Sequence, residues 1–265
     1  MAKKIVIAIK KGGVGKTTTA KNLAAAMSLR GHRTLLVDLD QQANATKGLG
    51  FDPEALEGTL NDLFADPTRD AASVTLKTDI EGLHLLPGHP NLSKTETGMA
   101  FQRADPSAPD PIGALKAILE PLEDSYDYMV FDTPPSINFM TINALAAADE
   151  LVIPAAAFAY TEDGVEKTLE EYRRAIKSYN PSLRLGGILI TRVKRTNASV
   201  AVLDGLKGSY KDSILPQAIV ESTAVDEAEQ LSQPVVVYDP ESIAALGYTL
   251  IAKILTGDTA NEQQV

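Results

Sequence analysis

The chain has 265 residues, enough for one large domain with a sizeable core and barely enough for two, and 44 % of them are apolar with no Trp, which suits a layered α/β protein. It contains no Cys, which excludes disulfides, thiolate metal sites and Cys nucleophiles and is compatible with a reducing cytoplasm. The formal charge of −10 argues against an all-over nucleic-acid coat, yet residues 161–212 are net +3 and the remainder −13, so a local basic face could still meet DNA with strong salt dependence.

Along the chain, Met1-Ala2-Lys3-Lys4 runs into the apolar stretch Ile5–Ile9, too short for a signal-peptide core, and no stretch approaches the ~20 apolar residues of a spanning helix. The expectation is a soluble, cytoplasmic protein. Strands are predicted at Lys4–Ile9, Thr34–Asp38, Leu83–Pro87, Tyr128–Asp132, Glu150–Pro154 and Leu185–Thr191, with a weaker one at Ser213–Leu215. Helical periodicity falls at about 16–30, 56–64, 111–123, 138–148, 161–179, 198–211, 222–231 and 240–256. Near-continuous apolar runs such as Ile5-Val6-Ile7-Ala8-Ile9 belong to strands buried on both faces. The fold class is therefore α/β, a mostly parallel twisted sheet with helices on both faces. Residues 103–111 carry three Pro, which stop a preceding helix and make a surface loop rather than a domain boundary. Residues 1–256 read as one domain and 257–265 as a flexible polar tail.

Strand Ile5–Ile9 leads through Lys10-Lys11-Gly12-Gly13-Val14-Gly15-Lys16-Thr17-Thr18 into a helix, the context that a phosphate loop requires. Glycines let backbone N–H groups turn around phosphate oxygens, and the helix N-terminus adds partial positive charge. Lys16 suits the β- and γ-phosphates of ATP and the Thr17 hydroxyl suits Mg2+. The ordinary pattern has Gly where this chain has Lys10, and Lys11 follows it. Lys11 stands too early in the loop to duplicate Lys16. Either it reaches a nucleotide held by a second subunit or it is a surface lysine.

Lys11–Thr18 resembles the deviant Walker A motif of the ParA/MinD ATPases. Val37-Asp38-Leu39-Asp40-Gln41-Gln42-Ala43-Asn44-Ala45-Thr46 is similar to that family's V-D-x-D-P-Q-G-N-A-T, with Gln41 for Pro and Ala43 for Gly. Asp132-Thr133-Pro134-Pro135-Ser136 resembles its Walker B region, and Tyr238-Asp239-Pro240-Glu241-Ser242 resembles a segment ahead of its last helix. The resemblance spans about residues 3–256 and implies the P-loop NTPase fold. It implies that Lys11, Gly12, Gly13, Val14, Gly15, Lys16, Thr17 and Thr18 hold ATP, that Lys11 acts across an ATP-sandwich homodimer, and that Asp40 orients the attacking water. Thr17, Asp40 and Asp132 would serve the magnesium, and Pro216 would line the adenine pocket. As plain chemistry, Asp40 and Asp132 end apolar strands at the carboxyl edge of the sheet, where ligands bind, although caps and turns also use Asp there. Asp38 is either a supporting group behind these two or a satisfied strand-end residue.

Within the family, a basic amphipathic membrane helix is absent from the last residues, the iron proteins' cysteines are missing, and the phosphate loop begins at residue 10, so the short partition ATPases fit best. These imply non-specific binding of double-stranded DNA, a ParB-like partner that stimulates hydrolysis, a nucleoid-associated location and no membrane attachment. Lys194-Arg195-Thr196-Asn197 resembles a DNA-binding region of the family. Two further family arginines are replaced in Leu215-Pro216-Gln217-Ala218-Ile219-Val220. Arg173, Arg174, Lys177, Lys207 and Lys211 are additional candidates that solvated helix faces also explain. A nucleotide switch that positions a protein cargo is the alternative, and a metabolic P-loop enzyme a third reading without an evident acceptor site.

Overall fold

A computed structural model describes residues 1–158 and 161–258. In chain order the regular elements are β1 (Lys3–Ile7), α1 (Lys16–Ser28), β2 (Thr34–Asp38), α2 (Asn44–Lys47), α3 (Leu60–Ala65), α4 (Ala71–Val74), β3 (Leu76–Lys77), β4 (Leu83–Leu86), α5 (Leu92–Ala104), α6 (Ala114–Leu119), β5 (Tyr128–Asp132), α7 (Phe139–Ala147), β6 (Glu150–Ala156), α8 (Thr161–Ser178), β7 (Arg184–Thr191), α9 (Asn197–Tyr210), α10 (Thr223–Gln230), α11 (Val235–Tyr238) and α12 (Ile243–Thr256). The seven strands form one sheet in the order β3-β4-β2-β5-β1-β6-β7. All pairings are parallel except the short edge pair β3–β4.

Alternation along each strand sends side chains to two cores. Ile5, Ile7, Leu36, Val130, Val152 and Leu189 pack on the face covered by α1 and α12. Val6, Leu35, Val37, Met129, Phe131, Ile153 and Ile188 pack on the opposite face with residues of α6, α7 and α8. The central strands are buried apart from their first residues Lys3, Tyr128 and Glu150, as their continuous apolar runs require.

Local chemistry sets the boundaries. Thr59 and Asp62 form a capping box, so α3 starts at Leu60 rather than residue 56. Pro121 lacks an N–H, and α6 gives way to a 3-10 turn over Glu120–Leu122. Ser242 caps α12 through the Ala245 N–H. The expected strand Ser213–Leu215 is corrected: Lys211–Ser213 is a 3-10 turn, and Ile214 makes only an isolated bridge to Ile188. The cause is Gly187, whose φ of +141° and missing side chain leave the space that Leu215 fills. Residues 214–221 then follow the outer edge of β7, where Leu215 and Ile219 donate backbone N–H bonds to Ile188 and Ile190. The long helix α5, which ends where the prolines after residue 103 are expected to stop a helix, has no counterpart among the ranges read from periodicity. Only Leu92 and Met99 are buried on it, so it carries no apolar stripe to read. The tail expected at 257–265 lies outside the described residues from 259 onward.

Candidate functional site: the phosphate loop and the carboxyl edge of the sheet

Residues 8–15 leave β1 at the carboxyl edge of the sheet, between β5 and β6, and end at the N-terminus of α1. Gly13 and Gly15 adopt φ of +73° and +82°, which a Cβ would strain. Such turns leave successive amides on the concave side as an anion nest. The Lys16 ammonium reaches back to the Lys11 carbonyl at 3.1 Å, while Thr191 and Arg192 meet the loop from the end of β7. Gly12 and Gly13 are exposed, so the front of the loop is open.

Asp38 and Asp132 are register partners on β2 and β5, which sets two fully buried carboxylates side by side. Asp38 accepts from the Thr46 N–H at 2.8 Å, the Thr46 hydroxyl at 2.7 Å and the Asp40 N–H at 3.2 Å. Burial pushes its carboxyl up to about 6 against the Thr46 hydrogen bonds. It is a strand-end carboxylate whose lone pairs are used in holding the following turn.

Asp132 is different. No hydrogen bond of standard geometry reaches either of its oxygens, although the Thr17 hydroxyl lies beside it. Burial, and then the charge of Asp38, pushes the Asp132 carboxyl well above its ordinary value. Burial likewise lowers the Lys16 ammonium, opposed by Asp132 and Asp40. An orphaned buried carboxylate calls for a cation, and Thr17 and Asp132 could hold Mg2+ there. Among the described residues no cluster of three or more His, Asp or Glu side chains makes an all-protein cage. Mg2+ suits that arrangement, because it keeps waters and takes phosphate oxygens.

Asp40 is 5 % exposed and accepts the Gln42 N–H at 2.9 Å. The turn after it forces Ala43 to φ +50°, a left-handed conformation that costs a non-glycine residue about 1 kcal/mol. This accounts physically for glycine in the motif that Ala43 replaces.

Lys11 points elsewhere. A Cβ on Gly164 would stand 3.3 Å from Lys11 Cβ, so the lysine stem lies along the start of α8, and its ammonium sits 4.7 Å from the Phe158 ring centroid. Lys10 donates its N–H to the Thr168 hydroxyl.

Beside the loop a cavity of about 260 Å³ is lined by Gly13, Gly15, Thr18, Arg192, Glu221 and Glu229 among others. Pro216 is not among its lining residues; Ile219, Val220 and Ser222 are. The structure thus brings together Gly12, Gly13, Val14, Gly15, Lys16, Thr17, Thr18, Asp40 and Asp132, and leaves Pro216 outside the cavity. Lys194 and Arg195 follow β7 on the surface, and Lys194 is paired with Glu221 at 2.9 Å. Sequence reasoning missed Thr191, Arg192, Glu221, Lys21 and Glu229. None carries a local signal, because each acts on a residue far away in the chain.

Residues 2–185 match a family model described as an AAA domain. The chain is 35 % identical over 254 residues to the sporulation initiation inhibitor protein Soj of Bacillus subtilis, covering 96 % of this chain and 98 % of that protein. A Mycobacterium smegmatis structure described as cobyrinic acid a,c-diamide synthase, with bound ATP analogue and magnesium, is 29 % identical with a TM-score of 0.83, covering 98 % of this chain and 97 % of that one. A Cyanothece McdA–ATP complex is 25 % identical with a TM-score of 0.84, covering 97 % and 96 %. With the phosphate loop and the orphaned Asp132 side by side at the carboxyl edge of the sheet, the chain belongs to the ParA/MinD family of P-loop ATPases, which use ATP and magnesium.

Proposed function

We propose that this protein is a nucleotide-gated partition ATPase: its ATP form pairs into a sandwich dimer that holds DNA without sequence preference, and a ParB-like partner stimulates slow hydrolysis and release. The observation that carries the reading is the placement of Lys11. Its stem runs along α8 and its head lies over Phe158, near the exposed loop front and Asp163 rather than turned back to the loop as Lys16 is, which supports a role across a subunit interface. Full-length similarity to Soj of Bacillus subtilis supports the same task.

In this reading residues 1–256 act as one ATPase domain. The backbone of Gly12–Gly15 and the Lys16 ammonium hold the phosphates, with Thr18 at the cavity wall. Thr17 and Asp132 hold the magnesium, with Asp40 close behind. Magnesium, when bound, supplies charge neutralisation at the phosphates. Asp40, fixed by the turn through Gln42 and Ala43, orients the water that attacks. Lys194 and Arg195 contribute to the DNA face. The protein then works in the cytoplasm on nucleoid DNA and not at a membrane; no helix among the described residues is long and apolar enough to cross one.

A second reading, a switch that positions a protein cargo with little DNA affinity, is favoured by one contact. Glu221 neutralises Lys194, and the neighbouring family arginines are Gln217 and Val220 here. Size-exclusion chromatography of the parent and Asp40→Ala proteins with ATP, with and without duplex DNA, separates the two. An ATP-induced dimer that shifts onto DNA supports the partition ATPase. A dimer that ignores DNA selects the cargo switch, and a persistent monomer sinks both.

A further inference from the structure

Two consecutive side chains at the end of β7 grip two consecutive carbonyls of the phosphate loop. The Thr191 hydroxyl donates to the Val14 carbonyl at 2.8 Å, and the Arg192 guanidinium donates to the Gly13 carbonyl at 3.0 Å. A peptide unit is planar and trans, so its C=O and the following N–H point in opposite directions. Pinning the Gly13 carbonyl towards β7 therefore fixes the Val14 N–H away from it, and pinning the Val14 carbonyl does the same for the Gly15 N–H. A carbonyl that swung round would set an oxygen dipole against an anion.

Arg192 is itself held. Its other guanidinium nitrogen donates to Glu221 at 3.0 Å, and Glu221 also takes the Lys194 ammonium at 2.9 Å. The Arg192 backbone adopts φ +51°, a conformation that an arginine keeps only when its surroundings hold it. A planar guanidinium with two anchored edges is a stiffer prop than a lysine. Arg192 and Glu221 both line the cavity beside the loop.

We infer that Arg192 is a positioning residue for nucleotide binding: together with Thr191, and braced by Glu221, it presets the Val14 and Gly15 amides towards the phosphates. This rests on reading residues 10–17 as a phosphate loop. Thr191 is buried and serves folding as well, whereas the Arg192 side chain is about half exposed, so Arg192 is the cleaner residue to change.

The test is calorimetric titration of Arg192→Ala, Arg192→Lys and Glu221→Gln with Mg-ATP and with Mg-tripolyphosphate, which lacks the nucleoside. Because the clamp acts on the loop, Arg192→Ala weakens both ligands by a similar factor, about tenfold. Arg192→Lys and Glu221→Gln fall between it and the parent, and in steady-state hydrolysis the Arg192→Ala loss appears more in KM than in kcat. Parent-like affinity of Arg192→Ala for both ligands overturns the proposal. So does a loss for ATP with tripolyphosphate unchanged, since Arg192 would then read the nucleoside directly. A parent protein that binds neither ligand instead removes the phosphate-loop reading itself.

Discussion

Thr46 gives both its backbone N–H and its hydroxyl to one oxygen of the Asp38 carboxylate, at 2.8 and 2.7 Å. The same hydroxyl accepts the Gly88 N–H at 3.0 Å, so one side chain joins the end of β2, the start of α2 and the loop after β4. All of these groups are buried, and Asp40 lies two residues beyond Asp38.

Thr46→Val keeps the shape and removes the hydroxyl, leaving the Gly88 N–H unpaired and Asp38 short of a donor. Buried groups stranded in this way cost about 3 kcal/mol. A lower urea midpoint at unchanged slope is the expected signature, with Thr46→Ser restoring most of it. Gly88→Ala is the steric counterpart. Its Cβ would stand 2.8 Å from the Asp38 carbonyl oxygen and 2.9 Å from the carboxyl carbon, neither of which can give way. It should destabilise by about 2 kcal/mol and lower ATPase activity in the protein that remains folded.

Lys21 and Glu229 make a lopsided pair at 2.7 Å: the lysine side chain is fully buried and the glutamate side chain 39 % exposed. Removing the exposed partner strands a buried charge, so Glu229→Ala should cost about 3 kcal/mol. Removing the buried charge strands nothing, because Glu229 can hydrate, and Lys21→Met should stay within about 1 kcal/mol of the parent. A double variant close to Lys21→Met alone would establish the asymmetry in denaturant melts. Equal costs for the two single variants would refute it.

What the sequence made legible follows from how local each signal is. The phosphate loop was readable because glycines, Lys16 and Thr17 must follow one another between a strand and a helix. β2 and β5 were readable to the residue, since buried parallel strands are short apolar runs that end in Asp38 and Asp132. Helix α5 was not, because its exposed face hides the two residues that anchor it. Arg192 was invisible for a stronger reason. Its partner Gly13 is 179 residues away, and its left-handed backbone has no glycine to announce it. The Ser213–Leu215 stretch looked like a strand by composition, but Leu215 is spent in filling the gap over Gly187.

Asp258 ties the C-terminal end of α12 to Arg30 at 2.9 Å and His32 at 3.1 Å. Burial alone would raise its carboxyl, but the hydrogen bonds from His32, Arg30 and Thr256 outweigh it and hold it at about 2. An unfolded Asp titrates near ~3.9, so the folded value is the lower one. Stability from this group is therefore complete above about pH 4 and is lost as pH falls towards 2. The melting-temperature gap between the parent and Asp258→Asn, open at about pH 5, should close below about pH 3. A gap that widened on acidification would contradict the assignment.

The basic segment after β7 offers two cations in different electrostatic states. Lys194 is already neutralised by Glu221, whereas Arg195 is exposed and has no ion pair among the described residues. If both approach DNA in the ATP-bound dimer, Arg195 exchanges water and counterions for a phosphate, but Lys194 must first give up Glu221. Each phosphate contact contributes about 0.9 to the slope of log K against log salt. Arg195→Ala should accordingly lower that slope by about 1, and Lys194→Ala by clearly less. Fluorescence anisotropy of a labelled duplex across a salt series, with ATP present, measures both. Equal slope changes would mean that DNA pulls Lys194 away from Glu221. In that case Glu221 would be left to Arg192 alone whenever DNA is bound, because the two cations are held by different oxygens of its carboxylate. Unequal changes keep Lys194 on Glu221 in the DNA-bound state, with Arg195 as the side chain of this pair that meets the phosphate.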